Sequence, residues 1–132
     1  VTGPGTKVLI RRVRAVCLGL PGATERASHG TPTFFVRDRS AFVYAWLDGH
    51  HDNHFAHLWC AADPGVQEAL IRSGPDRYFR PPYVGHRGWV GVRLDTRIDW
   101  DEVEQLCEDA YRTVAPRKLV AELDAGRGDR PD

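Results

Sequence analysis

With 132 residues, 42% of them apolar and 27% charged, the chain has the size and balance of one globular domain that buries its own core without disulfide or metal staples. Eighteen Lys+Arg offset eighteen Asp+Glu, which excludes a whole-molecule field that would attract nucleic acid indiscriminately. No run of about 20 apolar residues occurs and no charged segment leads into an apolar one at the start, so neither a membrane span nor a secretory leader is expected and the cytoplasm is the expected compartment.

The first predicted element is an amphipathic helix over Thr6 to Leu20, with Leu9, Val13, Val16, Cys17 and Leu20 on one stripe and Pro21-Gly22 ending it. After a short polar passage, Thr33–Val36 and Ala41–Leu47 read as two strands of a hairpin turned by Arg37-Asp38-Arg39-Ser40. Asp48 to Asn53 reads as a longer turn and His54–Cys60 as a third strand. Asp63-Pro64 reads as an N-cap and first-turn proline of a helix that carries Val66, Ala69 and Leu70 to Ser73-Gly74-Pro75. Then comes "RPPYVGHRGWVGVRLD", whose strand part is Val90–Leu94. Asp99 and Glu102 form a capping-box-like start to a helix with Trp100, Val103, Leu106, Cys107, Ala110, Tyr111 and Val114 on one side. Pro116 breaks it, and a last helical segment runs through Leu119, Val120 and Leu123. The order implies an α+β domain, an antiparallel sheet packed by helices on one side, over residues 1–123, followed by a flexible tail over 124–132.

Strand alternation sorts side chains into two faces. Ala41, Val43, Ala45 and Leu47 oppose Phe42, Tyr44 and Trp46; Ala56, Leu58 and Cys60 oppose Phe55, His57 and Trp59; Val90, Val92 and Leu94 oppose Trp89, Gly91 and Arg93. One face is aliphatic and meets the helices, and the other is aromatic. Gly91 between Trp89 and Arg93 either leaves a slot beside an indole and a cation, able to stack a base or another planar ligand, or is covered by Trp89 itself.

Charge is segregated along the chain: residues 1–40 and 72–97 are net positive, at +5 and +4, while 41–71 and 98–132 are net negative, at −4 and −5. Arg77, Arg80, His86, Arg87, Trp89 and Arg93 interleave cations with a ring in a Gly/Pro-rich stretch, a composition suited to phosphate contacts with double-stranded DNA. A small planar molecule held by Tyr44, Trp46, Trp59 and Trp89 is the alternative. His50, His51, Asp52, His54 and His57 are metal-ligand types without a recognised spacing, and His54 and His57 fall on opposite faces, so no metal is expected. Cys17, Cys60 and Cys107 are odd in number and widely spaced, which points to buried free thiols. No nucleotide-loop, zinc-protease or hydrolase motif occurs, and neither catalysis nor a cofactor is expected.

The segments "LPGATE", "TPTFFVRDRSAFVYAWLD", "ADPGVQEAL", "RYFRPPYVGHRGWVGVRLD" and "DWDEVEQLCEDAYRTVAPRKL" together resemble the MmcQ/YjbR family, over nearly the whole chain to Leu123. The resemblance implies a fold similar to CyaY, the bacterial frataxin, and non-enzymatic DNA binding through a double-wing motif. Two departures stand out. Many members have a lysine where the third strand runs into the helix, whereas this chain has Leu58-Trp59-Cys60-Ala61-Ala62-Asp63. The first helix carries Lys7, Arg11, Arg12 and Arg14 rather than the acidic ridge of an iron-binding frataxin. Neither the oligomeric state nor a DNA sequence is implied.

Overall fold

Leu9, Val13 and Cys17 recur at four-residue spacing, and these are the residues that helix α1 (Thr6–Cys17) buries. The structure, a computed structural model, describes residues 5–128. Six strands follow in the chain: β1 (Ala23–Ser28), β2 (Thr31–Val36), β3 (Ser40–Trp46), β4 (His57–Cys60), β5 (Tyr78–Phe79) and β6 (Val90–Arg93). They form one antiparallel sheet in the order β1-β2-β3-β4-β6-β5. Helix α2 (Val66–Ser73) lies beside β5, whereas α3 (Trp100–Val114) lies across β3 and β4 with α1 at its side. Helix α4 (Arg117–Gly128) completes the α+β fold, burying Leu119 and Leu123.

Two strands escape a reading of periodicity. The segment "ATERAS" of β1 has no apolar alternation, since it is an edge strand held by its pairing from Ala23↔Val36 to Ser28↔Thr31. Its Glu25 and Arg26 are the kind of charges that discourage pairing of an exposed edge. At the opposite edge, β5 has only two residues and is defined by pairing with β6. The third predicted strand is also shorter than its composition suggests, because regular pairing begins at His57 rather than His54.

The aliphatic and aromatic faces exist, with one correction. Phe34 pairs with Val43 and Phe35 with Ala41, so one residue of β3, Phe42, is inserted against β2 as a β-bulge. Simple alternation places Phe42 beside Tyr44 and Trp46. The bulge turns it instead to the helix face, where its ring meets Tyr111 of α3 edge-on at 5.7 Å. Tyr111 is wholly buried, and its hydroxyl donates to the Pro21 carbonyl at 2.6 Å, tying α3 to the end of the first helical segment. Cys17, Cys60 and Cys107 come from α1, β4 and α3 and are all buried free thiols. Burial and the neighbouring Cys107 push the Cys17 thiol up, and hydrogen bonding to Cys107 with burial does the same to Cys60. Both stay protonated, which suits packing rather than nucleophilic chemistry.

The helix ends depart from sequence expectation in three places. Asp63 does not cap α2: the N-cap is Gly65, at φ 89°, and the Asp63 carboxylate accepts a hydrogen bond from the Thr113 hydroxyl at 3.0 Å. Asp99 does cap α3, accepting from the backbone N–H groups of Asp101 and Glu102, but Glu102 pairs with Arg77 at 3.2 Å instead of closing the box. The segment expected to be a flexible tail from residue 124 is helical as far as Gly128. Arg112 reaches Asp124 at 2.6 Å, and Arg127 pairs with Glu108; residues 129–132 of that segment lie outside the described residues.

Glu108 gives this helix packing a pH dependence. Burial alone would raise its carboxyl, but the guanidiniums of Arg127 and Arg112 outweigh that and hold it below the usual range. A folded value below the unfolded one means that this stability is present above the unfolded value and is lost as pH falls through the folded one. The urea midpoint is therefore expected to fall between about pH 6 and about pH 3, and to fall less in Glu108→Gln, which starts lower at neutral pH. Equal slopes in the two proteins would show that Glu108 is not the group responsible.

Candidate functional site

The aromatic face of the sheet is covered by two loops rather than by helices. The first follows β3. Gly49 sits at φ 86°, and a Cβ there would press to 2.8 Å on the backbone of His54, so only glycine lets the turn close this tightly. His50 and Asn53 then exchange backbone hydrogen bonds of 2.8 and 2.9 Å. The turn lays the His50 ring edge-on against Trp46, centroids 4.8 Å apart, and 5.3 Å from Trp59.

The second loop, residues 80–89, approaches from the other side. Buried Gln67 of α2 donates to the carbonyls of Gly85 at 2.9 Å and Trp89 at 2.6 Å, which pins both ends of the short 3-10 turn Gly85–Arg87. Just before it, Tyr83 is held at φ 63°, an uncommon conformation for a bulky residue, and its side chain is 65% exposed. Its ring stands 5.8 Å from that of His50, and its hydroxyl shares a 3.3 Å hydrogen bond with His51 Nε2.

Between the loops lies a cleft of about 530 Å³, lined chiefly by His29, Tyr44, Trp46, His50, Trp59 and Tyr83. That volume falls within the ~300–1,000 Å³ of small-molecule sites. Burial and the neighbouring His51 push the His50 imidazole down, against the pull of Asp52, which favours the neutral form of that ring. The indole N–H groups of Trp46 and Trp59 are buried and have no acceptor among the described residues. An orphaned buried donor costs about 1–3 kcal/mol, a cost that the packing of these rings carries.

The structure sorts the predicted site residues into groups. Tyr44, Trp46 and Trp59 do come together, with Trp59 5.6 Å from Tyr44 and 5.0 Å from Trp46. Trp89 is buried and, unlike Trp59, does not line the cleft; it sits 5.9 Å from Tyr44 and backs the wall. The slot at Gly91 is not open, and Trp89 is not what closes it: the Phe79 ring lies where a Cβ of residue 91 would be. This cross-strand pairing of a ring with a glycine follows from Phe79↔Gly91 in the sheet.

The basic residues divide likewise. Arg93 makes a double hydrogen bond to Asp95, at 2.9 and 2.6 Å, and lies over Phe55 at 4.0 Å. That pairing raises the guanidinium and holds the Asp95 carboxyl below its usual range. Arg77 is engaged with Glu102. Arg80, His86 and Arg87 are exposed and have no carboxylate partner among the described residues, with Arg87 resting over Trp89 at 5.3 Å. Nor do the two positive segments merge through the sheet, since β1 and β5 occupy opposite edges and Arg14 and Arg26 pair with Glu25 and Asp38.

His29, His50 and Tyr83 are cleft residues that periodicity misses, because all three lie outside strands. Gly49 and the glycine-rich loop are the signals the sequence offers for them. The Phe79 plug carries a direct test: Gly91→Ala should lower unfolding free energy by about 1–3 kcal/mol, the usual cost of overpacking, as read by urea denaturation. An unchanged midpoint would mean that the ring swings away freely.

Among known proteins, the YjbR family model matches residues 18–113. The crystal structure of Deinococcus radiodurans protein DR2400, with a domain of the model DUF419, superposes with a TM-score of 0.69 at 21% identity, covering 87% of each chain. That likeness is one of fold. No curated protein matches the chain.

Proposed function

The chain belongs to the YjbR family, and from that footing we propose that it is a non-catalytic binding protein whose cleft takes a small flat aromatic molecule. The observation that carries this reading is the cleft walled by Tyr44, Trp46, Trp59 and Tyr83. Rings supply stacking surface for a flat ligand. Binding rather than turnover is favoured because the thiols are buried in the core and the imidazole of His50 faces rings, not a nucleophile.

Indole, adenine and riboflavin serve as probes. In a two-dimensional amide spectrum, the indole N–H signals of Trp46 and Trp59 should shift saturably with at least one of them. Tyr83→Ala, a change at an exposed ring, should weaken that binding about tenfold, as removal of one stacking partner worth ~1–3 kcal/mol requires. If no probe moves either signal at millimolar concentration, the cleft is not a site for flat aromatic molecules.

A second reading, double-stranded DNA held along the loop, is favoured by one observation: Arg80, His86 and Arg87 stand exposed and unpaired, among the described residues, on a loop pinned by Gln67. Cations so placed position a phosphate backbone without reading its sequence. Anisotropy of a labelled duplex should show affinity that falls with salt, and Arg80→Glu with Arg87→Glu should reduce the logarithmic slope by about 0.9 for each phosphate no longer neutralised. Identical binding and slope in the variant would dismiss the loop as the DNA-binding element.

A further inference from the structure

We propose a binding site for a late first-row divalent metal ion at the mouth of the cleft, formed by His50, His51 and Asp52. The inference stands apart from the cleft's organic ligand. Sequence spacing argues against a metal because His54 and His57 diverge, and they do: His57 is buried under Phe55 and Phe79, while His54 is exposed. The turn gathers a different trio. One donor atom from each of His50, His51 and Asp52 lies within 4.8 Å of the other two. His51 Nε2 is 3.6 Å and His50 Nδ1 is 3.8 Å from the Asp52 carboxylate.

Metal–ligand bonds of ~2.0–2.2 Å put neighbouring donors of one tetrahedral shell roughly 3.3–3.6 Å apart; the two Asp52 separations are already close to that, and the two imidazole donors, within 4.8 Å of each other, have to draw together. The means for that contraction are visible. The His50 side chain is 7% exposed and held by Trp46 and Trp59, whereas His51 at 69% and Asp52 at 47% are free to rotate toward it. The backbone beneath them is closed by the His50–Asn53 pair of hydrogen bonds and by the tight conformation of Gly49. Coordination through His50 Nδ1 exchanges the 3.1 Å hydrogen bond it accepts from the Asp52 N–H, and coordination through His51 Nε2 displaces the Tyr83 hydroxyl.

The donor set selects the ion. Two imidazoles and one carboxylate suit zinc, cobalt and nickel over calcium or magnesium, which take oxygen shells. Three protein ligands also leave a position open for solvent or for a donor atom on a molecule in the cleft.

Nickel chloride alone is the test, with tryptophan emission as the readout. Bound next to His50, the paramagnetic ion should quench Trp46 and Trp59 saturably at one equivalent, and zinc should compete. His51→Asn and Asp52→Asn, both exposed changes, should each weaken binding by at least about tenfold, with His54→Asn unchanged. The proposal is overturned by an absence of saturable quenching, by wild-type affinity in the His51 or Asp52 variant, or by an equal weakening in His54→Asn. No organic ligand enters the titration, so its outcome is separate from that of the cleft.

Discussion

The bulge at Phe42 is the constraint on which the two-faced sheet depends. In a regular β3, Phe42, Tyr44 and Trp46 would share one face and the helices would meet only the small side chains Ala41, Val43 and Ala45. One inserted residue divides the strand. Phe42 turns toward Tyr111 and gives α3 a large ring to pack on, while Tyr44 and Trp46 keep the outer face. The same strand thereby anchors the helical layer and lines the cleft, two tasks that a strict two-residue repeat cannot combine.

What covers each face differs in kind. The inner face is closed by helices with aliphatic and thiol side chains, and its helix ends are tied by Tyr111 to Pro21, by Asp99 to the first turn of α3, and by Glu108 between Arg112 and Arg127. The outer face is closed by loops. Loops cannot pack as densely over a surface of rings, since their backbone groups must also find partners. Gln67 and the His50–Asn53 pair meet much of that demand, and the space left between the two loops is the cleft.

Electrostatics sharpen the division of labour. Arg77 and Arg93, which share a segment with Arg80 and Arg87, are held by Glu102 and Asp95 and serve the fold. Arg80 and Arg87 have no carboxylate partner among the described residues, and burial pushes the His50 imidazole of the cleft down. Membership of the YjbR family and the superposition on DR2400 account for the architecture; the cleft chemistry comes from this chain's own rings. No helix among the described residues is long and apolar enough to cross a membrane.

Short windows of residues suffice for the fold class, the hairpin of β2 and β3, the helices α1 and α3, the burial of all three cysteines, and the grouping of Tyr44, Trp46 and Trp59. Each of these is set by a local period, a local cap or the habit of one residue type. The edge strands β1 and β5, the plug of Phe79 in Gly91, the pairing of Arg77 and Arg93, and the meeting of His50, His51 and Tyr83 arise only in the assembled fold. Edge pairing, a bulge, a glycine packed by a ring from another strand and a turn at positive φ depend on neighbours that the chain brings together from separate elements. No periodicity within the chain carries that information, because the energy that selects these conformations resides in contacts that exist only once the sheet has formed.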